Sequence, residues 1–152
     1  MLRLLTQAEL DAAARQDGFE KPVVADFARA MLATDPEYGP WSARLLLLKP
    51  ALEPIGHIRF HSRPVENAVE FGYSVFTPWR CRGFATEAAR GIMRWAAEQH
   101  GVRRFIASVR PDNLPSQRVV AKLGFRKVGQ QLDDIDGIED VLHFDSPAST
   151  SF

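Results

Sequence analysis

The sequence has little of what stabilises small secreted proteins or anchors proteins in membranes. It contains one cysteine, Cys81, among 152 residues, so no disulfide bond can form within the chain. Its longest aliphatic run, Leu45–Leu48, is far shorter than the ~20 apolar residues that a membrane-spanning helix requires. Glu9 and Asp11 interrupt the apolar amino terminus, which argues against a signal peptide. These absences argue against a disulfide scaffold and a membrane span, and they favour a reducing, cytoplasmic compartment.

The remaining composition is that of an ordinary globular protein. Hydrophobic residues make up 45% of the chain and charged residues 25%, and the length suits a single domain over residues 1–152. A chain of this length buries roughly 70% of the surface that its unfolded form exposes, so a hydrophobic core suffices for stability. We expect the last residues, 146–152, to fray.

The net charge is zero, but the charges are distributed unevenly. Residues 79–127 carry eleven lysines and arginines against three acidic residues, whereas residues 128–152 carry six acidic residues and no lysine or arginine. A basic block can attract an anionic ligand, although most arginines on helix surfaces are simply solvated. Charge alone leaves both interpretations open.

Hydrophobic periodicity predicts helices alternating with strands. We expect helices over residues 6–15, 23–32, 85–99 and 115–123, and strands over residues 44–49, 56–61, 68–76, 104–109, 128–132 and 141–144. Residues 35–40 are predicted to form a loop, and the acidic segment 133–140 a hairpin turn between the last two strands. This order of elements predicts an α/β (α+β) fold with one mixed sheet.

The most informative segment is the connection from the strand ending at Val75 to the helix containing Glu87. It carries Arg80, Arg82 and Gly83 before the helix starts on small residues. The unpaired amides and the dipole at a helix start bind phosphate, and a glycine lets the backbone approach the anion closely. The alternative is an ordinary strand-to-helix turn in which Gly83 only relieves strain. One glycine fits neither the dinucleotide-binding nor the Walker pattern.

The segment Arg80-x-x-Gly83-x-Ala85 resembles the Arg/Gln-x-x-Gly-x-Gly/Ala element of the GNAT superfamily of acetyl-CoA-dependent N-acetyltransferases. Residues 70–73, 111–116 and 122–126 (EFGY, PDNLPS and KLGFR) resemble, in the same order, the branch with the ribosomal-protein N-terminal acetyltransferases. The resemblance implies a mostly antiparallel mixed sheet with helices on both faces and a splayed central strand pair. It also implies transfer of the acetyl group of acetyl-CoA to a primary amine.

The same resemblance implies where the coenzyme binds. Backbone amides of the turn would hold the pyrophosphate, the end of the preceding strand would pair with the pantetheine arm, and an asparagine would contact that arm. The corresponding residues here are Val75, Phe76, Arg80, Cys81, Arg82, Gly83, Phe84, Ala85, Thr86, Asn113 and Ser116. For the two arginines the alternative is a solvated loop charge, and for the asparagine it is a helix cap.

Glu70 is the expected catalytic base. Alternation along the strand places Glu70 on one face with a glycine and a serine, which leaves open space in front of its carboxylate. A solvated carboxylate without a chemical role is the alternative. In many relatives a tyrosine protonates the departing thiolate, but the matching position here is Val120. Ser116, a water molecule or Tyr73 would have to supply that proton.

A different class of function also fits the sequence. A non-catalytic module could keep the fold and bind an acyl-CoA or a nucleic acid through the basic block. A carboxylate beside the acyl site favours the enzyme, since a binding module has no use for it. We therefore expect acetyl-CoA and an amine as partners, no metal, no membrane and no nucleic acid, and a monomer or homodimer. Residues 1–43 resemble the family only loosely, so the acceptor stays open.

Overall fold

The computed structural model describes residues 2–4 and 30–147, and within this part of the chain seven strands form one sheet. The strands are β1 (Leu2–Leu4), β2 (Arg44–Leu48), β3 (Glu53–Phe60), β4 (Ala68–Val75), β5 (Arg104–Val109), β6 (Arg126–Asp133) and β7 (Gly137–Asp145). Their spatial order is β1-β2-β3-β4-β5-β7-β6. Only β4 and β5 pair in parallel among these strands, and the other neighbours are antiparallel. The expected mixed, mostly antiparallel sheet is confirmed.

Two helices of the described residues follow the strands of the sheet's centre. Helix α1 (Phe84–His100) comes after β4, and helix α2 (Leu114–Leu123) comes after β5. Residues 30–34 are also helical and belong to the end of the helix predicted over residues 23–32, while the rest of that helix and the one predicted over 6–15 lie outside the described residues. None of the helices within residues 2–4 and 30–147 is both long and apolar enough to cross a membrane.

Two segments differ from the sequence-based expectation. Strand β1 was not predicted, and residues Pro36–Trp41 form a short 3-10 helix instead of an irregular loop. The side chain of Asp35 caps this helix by accepting a hydrogen bond from the backbone N–H of Glu37 at 3.2 Å. The prolines and the glycine of this segment therefore occur in a tight helical turn. The sequence pattern alone does not distinguish such a turn from an irregular loop.

The predicted acidic turn is much shorter than expected. β6 ends at Asp133 and β7 begins at Gly137. Glu139 and Asp140 therefore lie inside β7, and both are buried. The carboxylate of Asp140 accepts hydrogen bonds from Gln117 of α2 at 3.1 Å and from Gln130 at 2.9 Å. These donors, together with the ammonium of Lys127 at 3.1 Å, offset the cost of burying the Asp140 carboxylate. The sequence pattern had assigned this residue to a solvated turn.

The hydrophobic core lies between the two helices and one face of the sheet. Helix α1 buries a stripe of small and medium side chains, among them Ala89, Ile92 and Ala96, against Val69 and Phe71 of β4. Alanines on this stripe let the helix approach the sheet closely. Helix α2 contributes Val120 and Leu123 to the same cluster. Both helices therefore pack on one face, and the side chains of β4 that alternate with Val69 and Phe71 point to the other face.

The parallel pair at the centre of the sheet separates after three residues. β4 and β5 are in register at Ala68–Arg104, Val69–Phe105 and Glu70–Ile106, and the pairing ends there although both strands continue. β4 runs on to Val75 and remains paired with β3, while β5 remains paired with β7. The result is an opening between the carboxyl-terminal halves of β4 and β5, which is the expected splayed strand pair.

Candidate functional site

A groove of about 540 Å³ lies at this opening on the helix side of the sheet. Its walls are the end of β4, the turn into α1, and the first turns of α2. The residues that line it are Tyr73, Ser74, Val75, Trp79, Arg80, Cys81, Gly83, Phe84, Ala85, Thr86, Asn113, Pro115, Ser116, Arg118, Val119 and Lys122. The groove therefore collects residues from all four segments in which the sequence motifs were found.

The turn into α1 has a backbone that presents amides to the groove. Cys81 and Gly83 both adopt left-handed conformations, with φ of 62° and 82°. Gly83 is the N-cap of α1, so the N–H groups of Phe84, Ala85 and Thr86 belong to the first turn and have no partner within the helix. A turn of this kind followed by a helix start concentrates N–H donors and positive potential in one place. The segment can accommodate a phosphate or diphosphate.

The space in front of Gly83 is open. A Cβ added to Gly83 would meet no atom within 4 Å, so steric crowding does not explain the glycine. Its φ of 82° does, because residues with a Cβ pay roughly 1–2 kcal/mol in the left-handed region. The groove floor at this point is thus bare backbone that a ligand can approach closely.

The backbone of β4 offers hydrogen-bonding groups to the opening at alternate residues. On the β3 side, the carbonyl of Glu70 accepts a hydrogen bond from the N–H of His61 at 2.9 Å, and the N–H of Phe76 donates to the carbonyl of Ile55 at 2.8 Å. By alternation, the backbone groups of Tyr73 and Val75 point away from β3 and toward the opening. The Nε–H of Arg80 already donates to the carbonyl of Val75 at 2.8 Å, which braces the turn against the strand.

Two residues expected at the coenzyme site do not line the groove. Phe76 uses its N–H for Ile55 and its carbonyl for the N–H of Trp79, and its ring packs with Leu45 and Leu47. The guanidinium of Arg82 lies 5.3 Å from the centre of the Trp79 ring. The backbone N–H of Phe76 is thus already bonded within the sheet, whereas the backbone groups of Tyr73 and Val75 face the opening.

Asn113 and Ser116 meet at the start of α2. The side chain of Asn113 accepts a hydrogen bond from the N–H of Ser116 at 3.3 Å, so the helix-cap interpretation holds, and both residues also line the groove. The hydroxyl of Tyr73 donates to that of Ser116 at 3.1 Å. Burial raises the pKa of Tyr73, with the hydrogen bond to Ser116 acting in the opposite direction, so the phenol keeps its proton at neutral pH.

Glu70 lies on the other face of the sheet, at the last paired residue before the opening. Its Oε1 accepts a hydrogen bond from the Ser108 hydroxyl at 2.6 Å, and its Oε2 lies 3.6 Å from Nδ1 of His61. Burial raises the pKa of Glu70, but the contacts with His61 and Ser108 outweigh it, and the net pKa is below the usual value. Glu70 is thus ionised at neutral pH and half-buried at the point where the strands part.

The sheet face around Glu70 is polar and carries both signs of charge. His57 and Arg59 of β3 lie on this face. A Cβ added to Gly72 would lie 3.0 Å from Nε2 of His61 and 3.9 Å from Nη1 of Arg59, so these side chains occupy the space that was expected to be open beside Gly72. Burial and the charge of Arg59 lower the pKa of His57 to about 4, so this imidazole is neutral at physiological pH. Within the described residues, no group of three or more histidines, cysteines and acids is arranged to hold a metal ion.

The groove also contains residues that the sequence did not single out. Arg118 and Lys122, one helical turn apart on α2, add positive charge to one wall, while Val119 adds apolar surface. The spacing of Arg118 and Lys122, on the helix face opposite to Val120 and Leu123, could have been used to predict that they share one face of α2. The orientation of α2 relative to the turn into α1 cannot be read from the sequence.

Comparison with known proteins identifies a family over most of the chain and curated relatives over about half of it. Residues 2–126 match the acetyltransferase (GNAT) domain family. An uncharacterized N-acetyltransferase of Bacillus subtilis (strain 168), YnaD, is 40% identical over 76 residues, which cover 49% of this chain and 44% of that protein. The [ribosomal protein uS5]-alanine N-acetyltransferase of Escherichia coli (strain K12) is 31% identical over 67 residues, 44% of this chain and 34% of that protein. The matched stretch spans less than half of each of these two relatives.

A solved structure supports the fold over almost the whole chain. The ribosomal-protein-S5-alanine acetyltransferase from Vibrio fischeri superposes with a TM-score of 0.72, covering 95% of this chain and 91% of that one. The sequences are 18% identical, so this likeness concerns the fold.

Proposed function

The chain belongs to the GNAT acetyltransferase family, and we propose that it transfers the acetyl group of acetyl-CoA to a primary amine by direct attack in a ternary complex. The observation that carries this proposal is the opening between β4 and β5. An amide-rich groove lies on one side of it and the carboxylate of Glu70 on the other. Two substrates can therefore approach from opposite faces of the sheet and meet in the opening.

The groove supplies the chemistry that coenzyme A requires. The N–H groups of residues 83–86 would bind the diphosphate, with Arg118 and Lys122 adding charge for the phosphates. The backbone of Tyr73 and Val75 would pair with the amides of the pantetheine arm, which extends the sheet edge by one strand-like segment. This arrangement would point the thioester toward the opening.

Glu70 would act as the base on the acceptor side. A protonated amine has no lone pair for attack, and an α-amine has a pKa near ~7.7–8.0, a lysine near ~10.4. The ionised carboxylate of Glu70 would take the ammonium proton, directly or through water. The nitrogen then forms a bond to the thioester carbon, and the carbon–sulfur bond breaks. Because nitrogen attacks directly, no covalent enzyme intermediate is needed, and Cys81 has no role as a nucleophile.

The paired hydroxyls of Tyr73 and Ser116 would provide the proton for the departing thiolate. They lie 3.1 Å apart, and both line the groove. The raised pKa of Tyr73 keeps it a donor at neutral pH. This pair is therefore the candidate general acid, a role that the side chain of Val120 cannot fill.

The acceptor panel follows from the relatives. One relative is named for acetylation of an alanine in a ribosomal protein. A peptide beginning with alanine is therefore the first acceptor to test, followed by an amino-terminally blocked peptide with one lysine and by a small diamine. Release of free thiol from acetyl-CoA with each of them measures turnover.

Acetyl-CoA at about 100 times its Kd should stabilise the protein by about 2.7 kcal/mol in thermal denaturation. Pantetheine, which lacks the diphosphate and the nucleotide, is the matched control and should give a much smaller shift at the same concentration. The comparison locates the binding energy at the amide-rich turn. Equal shifts with both compounds, or none with millimolar acetyl-CoA, would contradict the proposed cofactor site. Binding without thiol release for any acceptor would favour a non-catalytic acyl-CoA module.

A further inference from the structure

The residues around Glu70 suggest how its carboxylate is held in place. We infer that Ser108 of β5 is a positioning residue, which fixes the Glu70 carboxylate at the opening through its hydroxyl. This inference rests on the proposed function, because it requires Glu70 to be the base. It adds a residue, on a different strand, that neither the sequence motifs nor the groove identify.

The contact spans the separated strands. Ser108 lies two residues beyond Ile106, the last residue of β5 that pairs with β4. Its Oγ nevertheless reaches back to Oε1 of Glu70 at 2.6 Å, a short distance typical of a hydroxyl donating to an ionised carboxylate. A side-chain bond thus connects the strands just beyond the point where the backbone ladder has ended. It fixes one carboxylate oxygen while His61 approaches the other.

A second hydrogen bond sets the direction of the first. The Nε2–H of Gln131 on β6 donates to Oγ of Ser108 at 3.0 Å, and the same amide lies 3.3 Å from Oε1 of Glu139. A hydroxyl has one proton, so a Ser108 oxygen that accepts from Gln131 directs its own proton to Glu70. Gln131 and the buried Glu139 therefore hold Ser108 in the donating orientation.

The charges that face Glu70 determine how strongly the loss of the Ser108 hydroxyl changes the pKa of Glu70. His61, the residue after β3, and Arg59 of β3 favour the ionised carboxylate, whereas Asp133 on β6 and Glu139 on β7 oppose it. The balance keeps the pKa of Glu70 below the usual value with Ser108 present. Removing the Ser108 hydroxyl leaves the acidic neighbours in place and takes away one donor. The pKa of Glu70 must then rise.

Ser108→Ala should lower kcat by at least about tenfold at neutral pH, the effect of losing a hydrogen bond to a charged group. It should also move the acid limb of the kcat–pH profile to higher pH. The sign follows from the pKa: a base with a raised pKa becomes protonated earlier as the pH falls. Thiol release at saturating acetyl-CoA, with the fastest acceptor of the panel above, gives both readouts. Ser108→Thr keeps the hydroxyl and should restore rate and profile.

A double-mutant cycle separates positioning from a structural role. In the Glu70→Gln background, Ser108→Ala should cause no further loss of kcat, since the group it positions is already inactive. Equal losses in both backgrounds, or a lower rate with an unmoved acid limb, would show that Ser108 only supports the fold. The thermal midpoint and the acetyl-CoA Kd of each variant report on the fold independently. If Glu70→Gln itself left kcat unchanged, the base assignment would fail; a normal Ser108→Ala beside an impaired Glu70→Gln would overturn the inference on Ser108 alone.

Discussion

Glu70→Gln is expected to reduce kcat at neutral pH by about 10²- to 10⁴-fold, the usual contribution of a general base. Glutamine keeps the size of the side chain and can still accept the hydrogen bond from Ser108, but it cannot take up a proton. The affinity for acetyl-CoA should not change. Glu70 lies on the sheet face opposite to the groove, and its partners Ser108 and His61 are not among the residues that line the groove. In this variant, kcat is therefore predicted to fall while the Kd for acetyl-CoA stays the same.

A matched glutamate provides the control for this substitution. Glu53, the first residue of β3, is exposed, and Glu53→Gln makes the same chemical change away from the opening. Its kcat, measured by thiol release, should equal that of the unmodified protein. Identical kcat values for the two variants would remove Glu70 from the role of base. A weakened coenzyme Kd in Glu70→Gln would instead indicate that the substitution disturbs the groove through the sheet.

Reversing the charges of Arg118 and Lys122 is expected to weaken coenzyme A binding at least about 100-fold. Each side chain would contribute a charge-assisted contact to a phosphate, worth roughly 1.5–3 kcal/mol, and a glutamate in its place repels the same phosphate. Both side chains are exposed on α2, so Arg118→Glu/Lys122→Glu should fold normally. Calorimetric titration with coenzyme A measures the change in Kd.

The control for charge reversal must change the net charge equally. Lys49 and Arg103 are exposed and lie outside the groove, and Lys49→Glu/Arg103→Glu therefore tests the long-range effect of charge alone. Raising the salt concentration should weaken binding to the unmodified protein more than to Arg118→Glu/Lys122→Glu, because screening acts on charges that are still there. Similar Kd values for the two double variants would exclude Arg118 and Lys122 as phosphate contacts.

The sequence predicted the elements well wherever local patterns decide them. The strand around Glu70 and the helix after Gly83 follow from alternation and from a helical stripe of alanines, and both are observed. The same alternation places Glu70 and Val75 on opposite faces of β4. This pattern is consistent with two substrates that reach the opening from opposite faces of the sheet.

Contacts between residues that are distant in the chain could not be predicted from local sequence patterns. Ser108 contacts Glu70, 38 residues away in the chain, because of the register of two parallel strands, and local pattern does not fix such a register. The left-handed conformation of Cys81 is set by the turn as a whole, since a cysteine has no preference for it. The buried carboxylate of Asp140 is bonded by groups from other elements, Gln117 of α2 and Lys127 of β6. For Ser108 and Asp140 the deciding contacts are tertiary, and for Cys81 the deciding constraint is the geometry of the whole turn.

The central claim, that backbone amides at the start of α1 bind the coenzyme diphosphate, is tested most directly by NMR. In a titration of the ¹⁵N-labelled protein with coenzyme A, the assigned amide resonances of Gly83, Phe84, Ala85 and Thr86 should show the largest shifts. The N–H donors would change from solvent to phosphate as partner, which moves both proton and nitrogen frequencies. Saturable binding that leaves these four resonances in place while others shift would contradict the account.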